Sequence, residues 1–265
     1  MSAATVFRAA CLAIQRGVLI RRSSAQDKEF HFQNWVGDRL TDARLEHETG
    51  GRNQYPDFRL VRFSEGYEVK GLAYPGREAS YDSNSQVPTG LHNGRAIYYV
   101  FGRYPKGVLV DEYPVLDLVI CHGDFLNATH DYVHRNRSLR GFGSYGDIMI
   151  RDRKMYVCPT PFALTTGTLN QQTLILPGDA PTPEGLREIG RLTRREADNL
   201  IIGYEFDLTT NSITPHDMPN PSAGREHHFR AFRLAGSGGP EVALTRSPEI
   251  EREAALIEAE EESEG

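Results

Sequence analysis

Two carboxylates and one lysine have the types and the spacing that metal-dependent hydrolysis requires. Asp57 follows a proline, and Glu68 and Lys70 come after a short apolar run and a Ser-Glu-Gly turn, with Glu68 eleven residues beyond Asp57. Side chains alternate across a strand, so Glu68 and Lys70 share one face while Tyr67 and Val69 point the other way, into a core. The spacing predicts that the two acids meet on neighbouring strands. Paired carboxylates favour Mg²⁺, and an adjacent lysine can orient a water and stabilise charge developing on a phosphate.

The pattern Pro56-Asp57 … Glu68-Val69-Lys70 resembles the signature of the PD-(D/E)xK nuclease superfamily. The resemblance covers roughly residues 25–125. It implies an α/β fold of the restriction-endonuclease type, with a central mixed β-sheet flanked by helices. It also implies that Asp57, Glu68 and the Val69 carbonyl ligate Mg²⁺, for which Mn²⁺ can substitute, and that Lys70 positions the attacking water. The turn and strand signals of the C-terminal half predict a C-terminal α/β elaboration for target recognition, with a β-rich elaboration as the alternative.

A helix is predicted just before this motif, because Phe32, Trp35, Val36 and Leu40 recur at helical spacing and form one buried stripe. Glu29 lies on the same stripe, where an isolated charge would be costly. Superfamily members carry an acid near the metal on the preceding helix, so the resemblance assigns Glu29 a catalytic role. A first-turn acid stabilised by the helix dipole is the alternative, and the sequence leaves both open.

After Lys70 the chain is predicted to form a long polar loop and then two buried strands. The loop spans residues 71–94, and the strands correspond to the apolar runs 96–102 and 115–121. Helix, two motif strands, loop and two buried strands is the order that the superfamily core would show. The loop side chains predicted to contact DNA are Arg77, Ser83, Asn84 and Gln86.

The charge distribution is compatible with DNA binding although the formal net charge is −6. Eight acids and one arginine between Glu249 and Gly265 give this tail −7, which leaves +1 for the rest of the chain. Further predicted DNA contacts are Arg135, Arg137, Arg140, Arg151 and Arg153. A second basic group consists of Arg187, Arg191, Arg194 and Arg195, and the last three have the spacing of one helix face after a start at residues 182–184. Either phosphate contact or a solvated surface explains this group.

The chain length and the Gly-rich segment after residue 235 predict a single nuclease domain over residues 1–235, with a core of about 25–125 and a recognition elaboration of about 126–235. Residues 236–265 read as a Gly-rich linker and an acidic tail that is disordered. The first 22 residues are expected to form a helix that packs on the fold, with imitation of a transit peptide as the alternative. A hairpin is predicted around residues 209–211.

Several other patterns exclude function classes. No apolar run approaches the ~20 residues of a membrane span. The three scattered cysteines indicate reduced thiols in a bacterial-type cytoplasm. The Gly-x-Gly-x-x-Gly match at residues 141–146 lacks the strand before it and the helix after it that a dinucleotide site needs, and no Walker A sequence is present, so no nucleotide cofactor is expected.

A cysteine and three histidines, Cys121, His122, His130 and His134, form a C-H-x(7)-H-x(3)-H pattern. No Cys-x-x-Cys pair accompanies it, so a structural or nucleic-acid-facing group is the preferred interpretation and zinc the alternative.

By resemblance, the chain is expected to be a Mg²⁺-dependent type II restriction endonuclease. Such an enzyme acts as a homodimer on duplex DNA and leaves 5′-phosphate and 3′-hydroxyl ends. The alternatives are a repair or recombination nuclease of this fold, a non-catalytic DNA-binding defence protein, and a zinc enzyme that does not act on nucleic acid.

Overall fold

The computed structural model describes residues 2–22, 30–50, 54–76, 78–84, 88–106, 111–128, 144–145, 148–149, 155–164, 166–207, 209–210 and 212–243. These residues contain two α-helices, α1 (Ser2–Gln15) and α2 (Phe30–Asp42), and two 3-10 helices, Gly123–Phe125 and Pro161–Ala163. The first nine strands are β1 (Ile20–Arg21), β2 (His47–Thr49), β3 (Phe58–Leu60), β4 (Glu65–Tyr74), β5 (Ser80–Asn84), β6 (Leu91–His92), β7 (Arg95–Pro105), β8 (Glu112–Tyr113) and β9 (Asp117–His122). The later strands are β10 (Ser144–Tyr145), β11 (Ile148–Met149), β12 (Met155–Pro159), β13 (Gln172–Pro177), β14 (Leu186–Arg195), β15 (Asn199–Asp207), β16 (Ser212–Pro219) and β17 (Glu226–Leu234).

A nine-stranded mixed sheet dominates the fold. Its order is β14-β17-β13-β9-β7-β4-β3-β2, and β6 pairs with β7 beside this path. The β4–β7 and β9–β13 pairs are parallel and the other pairs are antiparallel. Four further antiparallel pairs lie outside the sheet: β1–β8, β5–β12, β10–β11 and β15–β16. The predicted mixed α/β architecture is confirmed, and the sheet extends well beyond residue 125.

Both α-helices contribute to the core on one face of the sheet. Phe32 of α2 lies against the backbone of two neighbouring strands at Gly71 and Gly102, which are paired in the β4–β7 register. A Cβ atom on Gly102 would lie 2.1 Å from Phe32 Cζ, so only glycine permits this close packing. The same core contains Tyr67 of β4, and Val69 packs against it, as the alternation pattern predicted.

The opposite face of the sheet is covered without α-helices in the part of the chain that the structure describes. Tyr99 and Phe101 of β7 form a second core together with Cys121 of β9. Tyr81 of β5 covers this core, as does Phe162 of the second 3-10 helix. The expectation that helices flank the sheet is therefore met on one face, whereas extended segments cover the other.

The described C-terminal residues are β-rich, which is the second of the two predicted alternatives and not the α/β elaboration. Among the described residues, no α-helix follows Asp42, and the segment after residue 155 consists of strands, turns and one 3-10 helix. Arg191, Arg194 and Arg195, predicted on one helix face, lie on strand β14 instead, as does Arg187. The predicted hairpin is confirmed, because β15 and β16 pair on either side of residues 209–210.

Residues 236–243 lie against the edge of the sheet, although the sequence predicts a linker in this segment. Val242 is buried, its backbone N–H donates to the Ile189 carbonyl of β14, and Ala243 forms a bridge with Thr166. The acidic tail itself lies outside the described residues. None of the three cysteines forms a disulfide, and all three are buried, in agreement with the predicted reduced core thiols. Neither α-helix has the length and apolar character needed to cross a membrane.

Candidate metal centre

Asp57 and Glu68 meet at the junction of β3 and β4. These strands pair antiparallel with Phe58 opposite Tyr67, which places Asp57 beside Glu68 one step further along. The Asp57 backbone N–H donates to Glu68 Oε2 at 3.3 Å, and the Val69 N–H donates to Asp57 Oδ2 at 2.7 Å. The two acids are thus fixed by backbone hydrogen bonds as well as by the strand pairing.

Lys70 completes the group on the same face of β4. Its Nζ donates to Glu68 Oε1 at 2.6 Å, and the ammonium lies 5.6 Å from the centre of the Tyr81 ring. The side chains of Lys70 and Glu68 are only 22 % and 12 % exposed, respectively. The structure therefore brings the three predicted side chains together in a partly buried site that remains open to solvent.

The electrostatics of the group show an excess of negative charge. Burial raises the pKa of Asp57, the Glu68 charge raises it further, and the opposing effects of the Val69 N–H and Lys70 leave it at about 7. Burial alone would lower the pKa of Lys70, but Glu68 and Asp57 outweigh it, so the net pKa is raised and the ammonium stays charged at neutral pH. Two carboxylates face one cation, and a proton or a divalent cation would neutralise the remainder.

The donor set fits a hard divalent cation, because two adjacent carboxylates with partly buried oxygens are typical Mg²⁺ ligands. The set is small. Within the described ranges, no cluster of three or more His, Cys, Asp or Glu side chains could hold a metal ion. Asp57 and Glu68 would therefore need a third ligand from the backbone, from water or from a phosphate. Val69, predicted to supply its carbonyl, lies between Glu68 and Lys70, with its N–H directed at Asp57.

An aromatic wall stands beside the carboxylates. The Tyr55 and Tyr99 hydroxyls are 2.9 Å apart and hydrogen-bonded, and the His92 ring meets the Tyr55 ring edge-on at 4.9 Å. Burial raises the pKa of Tyr55, and the nearby Glu68 and Asp57 charges add to this effect, so the phenol stays protonated at neutral pH. This wall limits access of water to one side of the site.

Sequence reasoning missed the polar residues on this side, namely Tyr55, Arg59 and His92. Alternation along β3 would have identified Arg59, because it lies between the buried Phe58 and Leu60 and two residues after Asp57. Tyr55 precedes the strand, so alternation does not place it. His92 carried no comparable signal. It reaches the site only because β6 pairs with the start of β7.

Most of the other predicted site residues lie outside the part of the chain that the structure describes. Those outside the described residues are Glu29, Arg77, Gln86, Arg135, Arg137, Arg140, Arg151 and Arg153. Ser83 and Asn84 lie on β5, where their backbones pair with β12. In the Cys-His pattern, Cys121 lies in the core containing Tyr99, whereas the His122 ring packs on Tyr98 on the other side of the sheet, so these two do not converge. His130 and His134 also lie outside the described residues.

Comparison with known proteins adds no assignment, because no protein-family model, curated protein or solved structure matches this chain. The site is therefore interpreted from its own geometry.

The raised pKa of Asp57 predicts a pH-dependent loss of stability without metal. In the folded state this carboxyl keeps its proton up to about pH 7, against an ordinary pKa of 3.8, so its contribution is fully present below pH 4 and is lost as the pH rises through 7. In EDTA, Asp57→Asn should raise the free energy of unfolding at pH 8 by about 1–2 kcal/mol relative to wild type, with no difference near pH 4.

Urea denaturation at both pH values measures this effect. Asp38→Asn, on the exposed face of α2, removes an equal charge and serves as the control. An Asp57→Asn effect of the same size at pH 4 and pH 8 would contradict the electrostatic explanation. Added Mg²⁺ should stabilise wild type at pH 8 and leave the Asp57→Asn protein almost unaffected.

Proposed function

We propose that this protein is a Mg²⁺-dependent endonuclease that hydrolyses phosphodiester bonds of duplex DNA, with a core of the restriction-endonuclease type. One observation carries the proposal. Asp57, Glu68 and Lys70 meet in one partly buried group, in which two carboxyl groups face a single lysine and a proton or a divalent cation is needed to balance the second carboxylate. A group built only for stability would pair each acid with a cation, because excess buried charge is unfavourable.

Each residue has a separate task in this proposal. The Asp57 and Glu68 carboxylates would hold Mg²⁺, which neutralises them and polarises a phosphate oxygen when it is bound. The Lys70 ammonium, held by Glu68 Oε1 at 2.6 Å, would orient the attacking water and offset charge on the phosphate. The Tyr55–Tyr99 pair would shield one side of the group from bulk water. Products would carry 5′-phosphate and 3′-hydroxyl ends.

The arrangement of elements supports the same class. Helix α2, motif strands β3 and β4, a crossover segment and buried strands β7 and β9 follow one another in the order that the resemblance implies. The helix packs on the face opposite the carboxylates, where Phe32 lies against β4 and β7. We extend the proposal to a type II restriction enzyme that acts as a homodimer on a palindromic site, because the sequence contains a single catalytic motif and no ATP-binding motif.

The Lys70–Glu68 contact favours a second candidate, a non-catalytic DNA-binding defence protein. At 2.6 Å this contact is a well-formed ion pair, and such pairs also occur as structural elements. In that case the protein would bind duplex DNA with strong salt dependence and would not cleave it. A repair or recombination nuclease would use the same group, but its cleavage would follow DNA structure or ends rather than sequence.

Digestion of a bacteriophage genome of known sequence, followed by sequencing of the fragment ends, tests the proposal. With Mg²⁺ we expect discrete bands whose ends share one short sequence, similar cleavage with Mn²⁺, and none with EDTA. A smear, or cuts confined to ends and junctions, would favour the repair nuclease. Salt-dependent binding without metal-dependent cleavage would contradict catalysis and favour the second candidate.

A further inference from the structure

A positively charged side chain lies on the same face of β3 as Asp57. Phe58 and Leu60 pack into the core on the helix side, so Arg59 between them points to the opposite face, where Asp57 also lies. Two residues along a strand correspond to about 6.7 Å. Arg59 thus lies one short step along the sheet from the proposed metal centre.

Arg59 is half-buried, and no acidic side chain among the described residues forms an ion pair with it. One terminal nitrogen, Nη2, donates to Gln54 Oε1, a neutral amide. The Nε atom is buried and has no hydrogen-bond partner among the residues that the structure describes. A half-buried guanidinium with a vacant donor is unfavourable by itself, and an anion bound there would satisfy both the charge and the vacant donor.

The neighbours of Arg59 connect it to the carboxylate group. Burial lowers the pKa of His92 and the Arg59 charge lowers it further, so the imidazole is neutral at pH 7. His92 contacts the Tyr55 ring, and the Tyr55 hydroxyl bonds to Tyr99 beside Glu68. The side chains that connect Arg59 to the carboxylate group, His92, Tyr55 and Tyr99, are therefore aromatic rings that carry no negative charge at neutral pH.

We propose that Arg59 binds the DNA backbone phosphate next to the scissile one and thereby sets the position of the strand over Asp57 and Glu68. This inference rests on the proposed nuclease function. A guanidinium is suited to this role because its coplanar N–H donors match the oxygens of a phosphate. The buried Nε of Arg59 would supply one of these donors. Successive phosphates of one strand would then meet the arginine and the metal centre in turn.

Binding and cleavage by Arg59→Ala test the inference. Affinity is measured with a fluorescent duplex of random sequence in Ca²⁺ at several salt concentrations, and cleavage with plasmid in Mg²⁺. We expect at least 10-fold weaker binding, a salt slope reduced in magnitude by about 0.9 because one phosphate contact is lost, and an increase in KM larger than the decrease in kcat. Arg59→Lys should restore the salt slope but only part of the affinity.

Two variants separate a direct contact from other effects. Arg62→Ala removes the same charge from the same hairpin, at a side chain that is 81 % exposed and paired with Glu46, and should change affinity less than 2-fold. Gln54→Ala breaks the hydrogen bond to Arg59 but keeps the charge, so affinity should be maintained. If Gln54→Ala reproduces the Arg59→Ala defect, Arg59 acts by holding the chain before Asp57, and the inference is overturned.

The outcomes also separate this inference from the proposed function. Wild-type cleavage together with an unchanged affinity, KM and salt slope in Arg59→Ala would overturn the phosphate contact and leave the nuclease proposal intact. Binding without cleavage, combined with a reduced slope in Arg59→Ala, would support the phosphate contact and contradict catalysis. Absence of both binding and cleavage in wild type would overturn both.

Discussion

Replacing Lys70 with alanine is expected to lower the rate of Mg²⁺-dependent plasmid cleavage by about 10³-fold while duplex binding remains within a few-fold of wild type. The Lys70 ammonium lies against Glu68 and is charged at neutral pH, so it can stabilise negative charge that develops in the transition state. The substitution leaves both carboxylates in place, and metal binding should persist. Single-turnover cleavage measured with saturating enzyme isolates the chemical step.

The Lys70→Ala result needs a matched control and a check on folding. Lys106→Ala removes an exposed lysine just after β7, at the far end of the sheet from the carboxylates, and should cleave at the wild-type rate. Circular dichroism and thermal denaturation verify that both variants fold. Equal cleavage rates for wild type and Lys70→Ala would show that Lys70 has no catalytic role, and the assignment of the chemistry to this group would then be wrong.

The candidate site could be read from the sequence because its determinants are local. Asp57, Glu68 and Lys70 lie within one hairpin, and the two-residue period of a strand is sufficient to place Glu68 and Lys70 together and Tyr67 in the core. The helix before the motif was predictable for a similar reason, since Phe32 and its helical neighbours form one apolar stripe. Short-range periodicity carries this information without any knowledge of the rest of the chain.

Strand β14 shows why its arginines were predicted on a helix. Arg191, Arg194 and Arg195 have a spacing that also fits a helix face, and the buried residues Leu186, Ile189 and Leu192 recur every three positions. These buried residues lie on two faces, because Leu186 packs in the core on the helix side and Ile189 and Leu192 pack in the core on the other side. A β-bulge between Glu188 and Gly190 inserts one residue and shifts the alternation between them. A bulge depends on the partner strand and on the Val242 segment that packs beside it, and both are distant in sequence.

Arginine burial on the site face follows two different patterns. Arg103 is 3 % exposed, and its guanidinium is bound by Asp117, which is 0 % exposed. Arg59 has no such carboxylate among the described residues. Strand β9 supplies the counter-ion for Arg103, whereas the buried Arg233 is held by the Gly167 and Gly238 carbonyls. Arg59 has neither arrangement, since its one described hydrogen bond goes to the Gln54 amide. The contrast supports a ligand-binding role for Arg59 and predicts that Arg103 acts on stability alone.

Asp117→Ala is accordingly expected to lower the free energy of unfolding by about 3–5 kcal/mol, because it leaves a buried guanidinium without a counter-charge. Asp117 accepts hydrogen bonds from Arg103 Nε at 2.8 Å and Nη2 at 2.5 Å, and from the Asn170 N–H at 2.9 Å. The Tyr74 and Phe162 rings flank the guanidinium at 4.4 and 5.2 Å and exclude water. Urea denaturation with a common m-value measures the loss.

The Arg21–Glu112 ion pair provides the comparison that isolates burial. Its N–O distance is 2.9 Å, but the side chains are 78 % and 49 % exposed, so Glu112→Ala should cost less than about 1 kcal/mol. The double variant Arg103→Met/Asp117→Leu should be more stable than Asp117→Ala, because it removes both buried charges. Equal losses for Asp117→Ala and Glu112→Ala would contradict this account. A destabilised Asp117→Ala protein that still cleaves DNA well below its unfolding temperature would show that the Arg103 pair supports the sheet, whereas Asp57, Glu68 and Lys70 carry the chemistry.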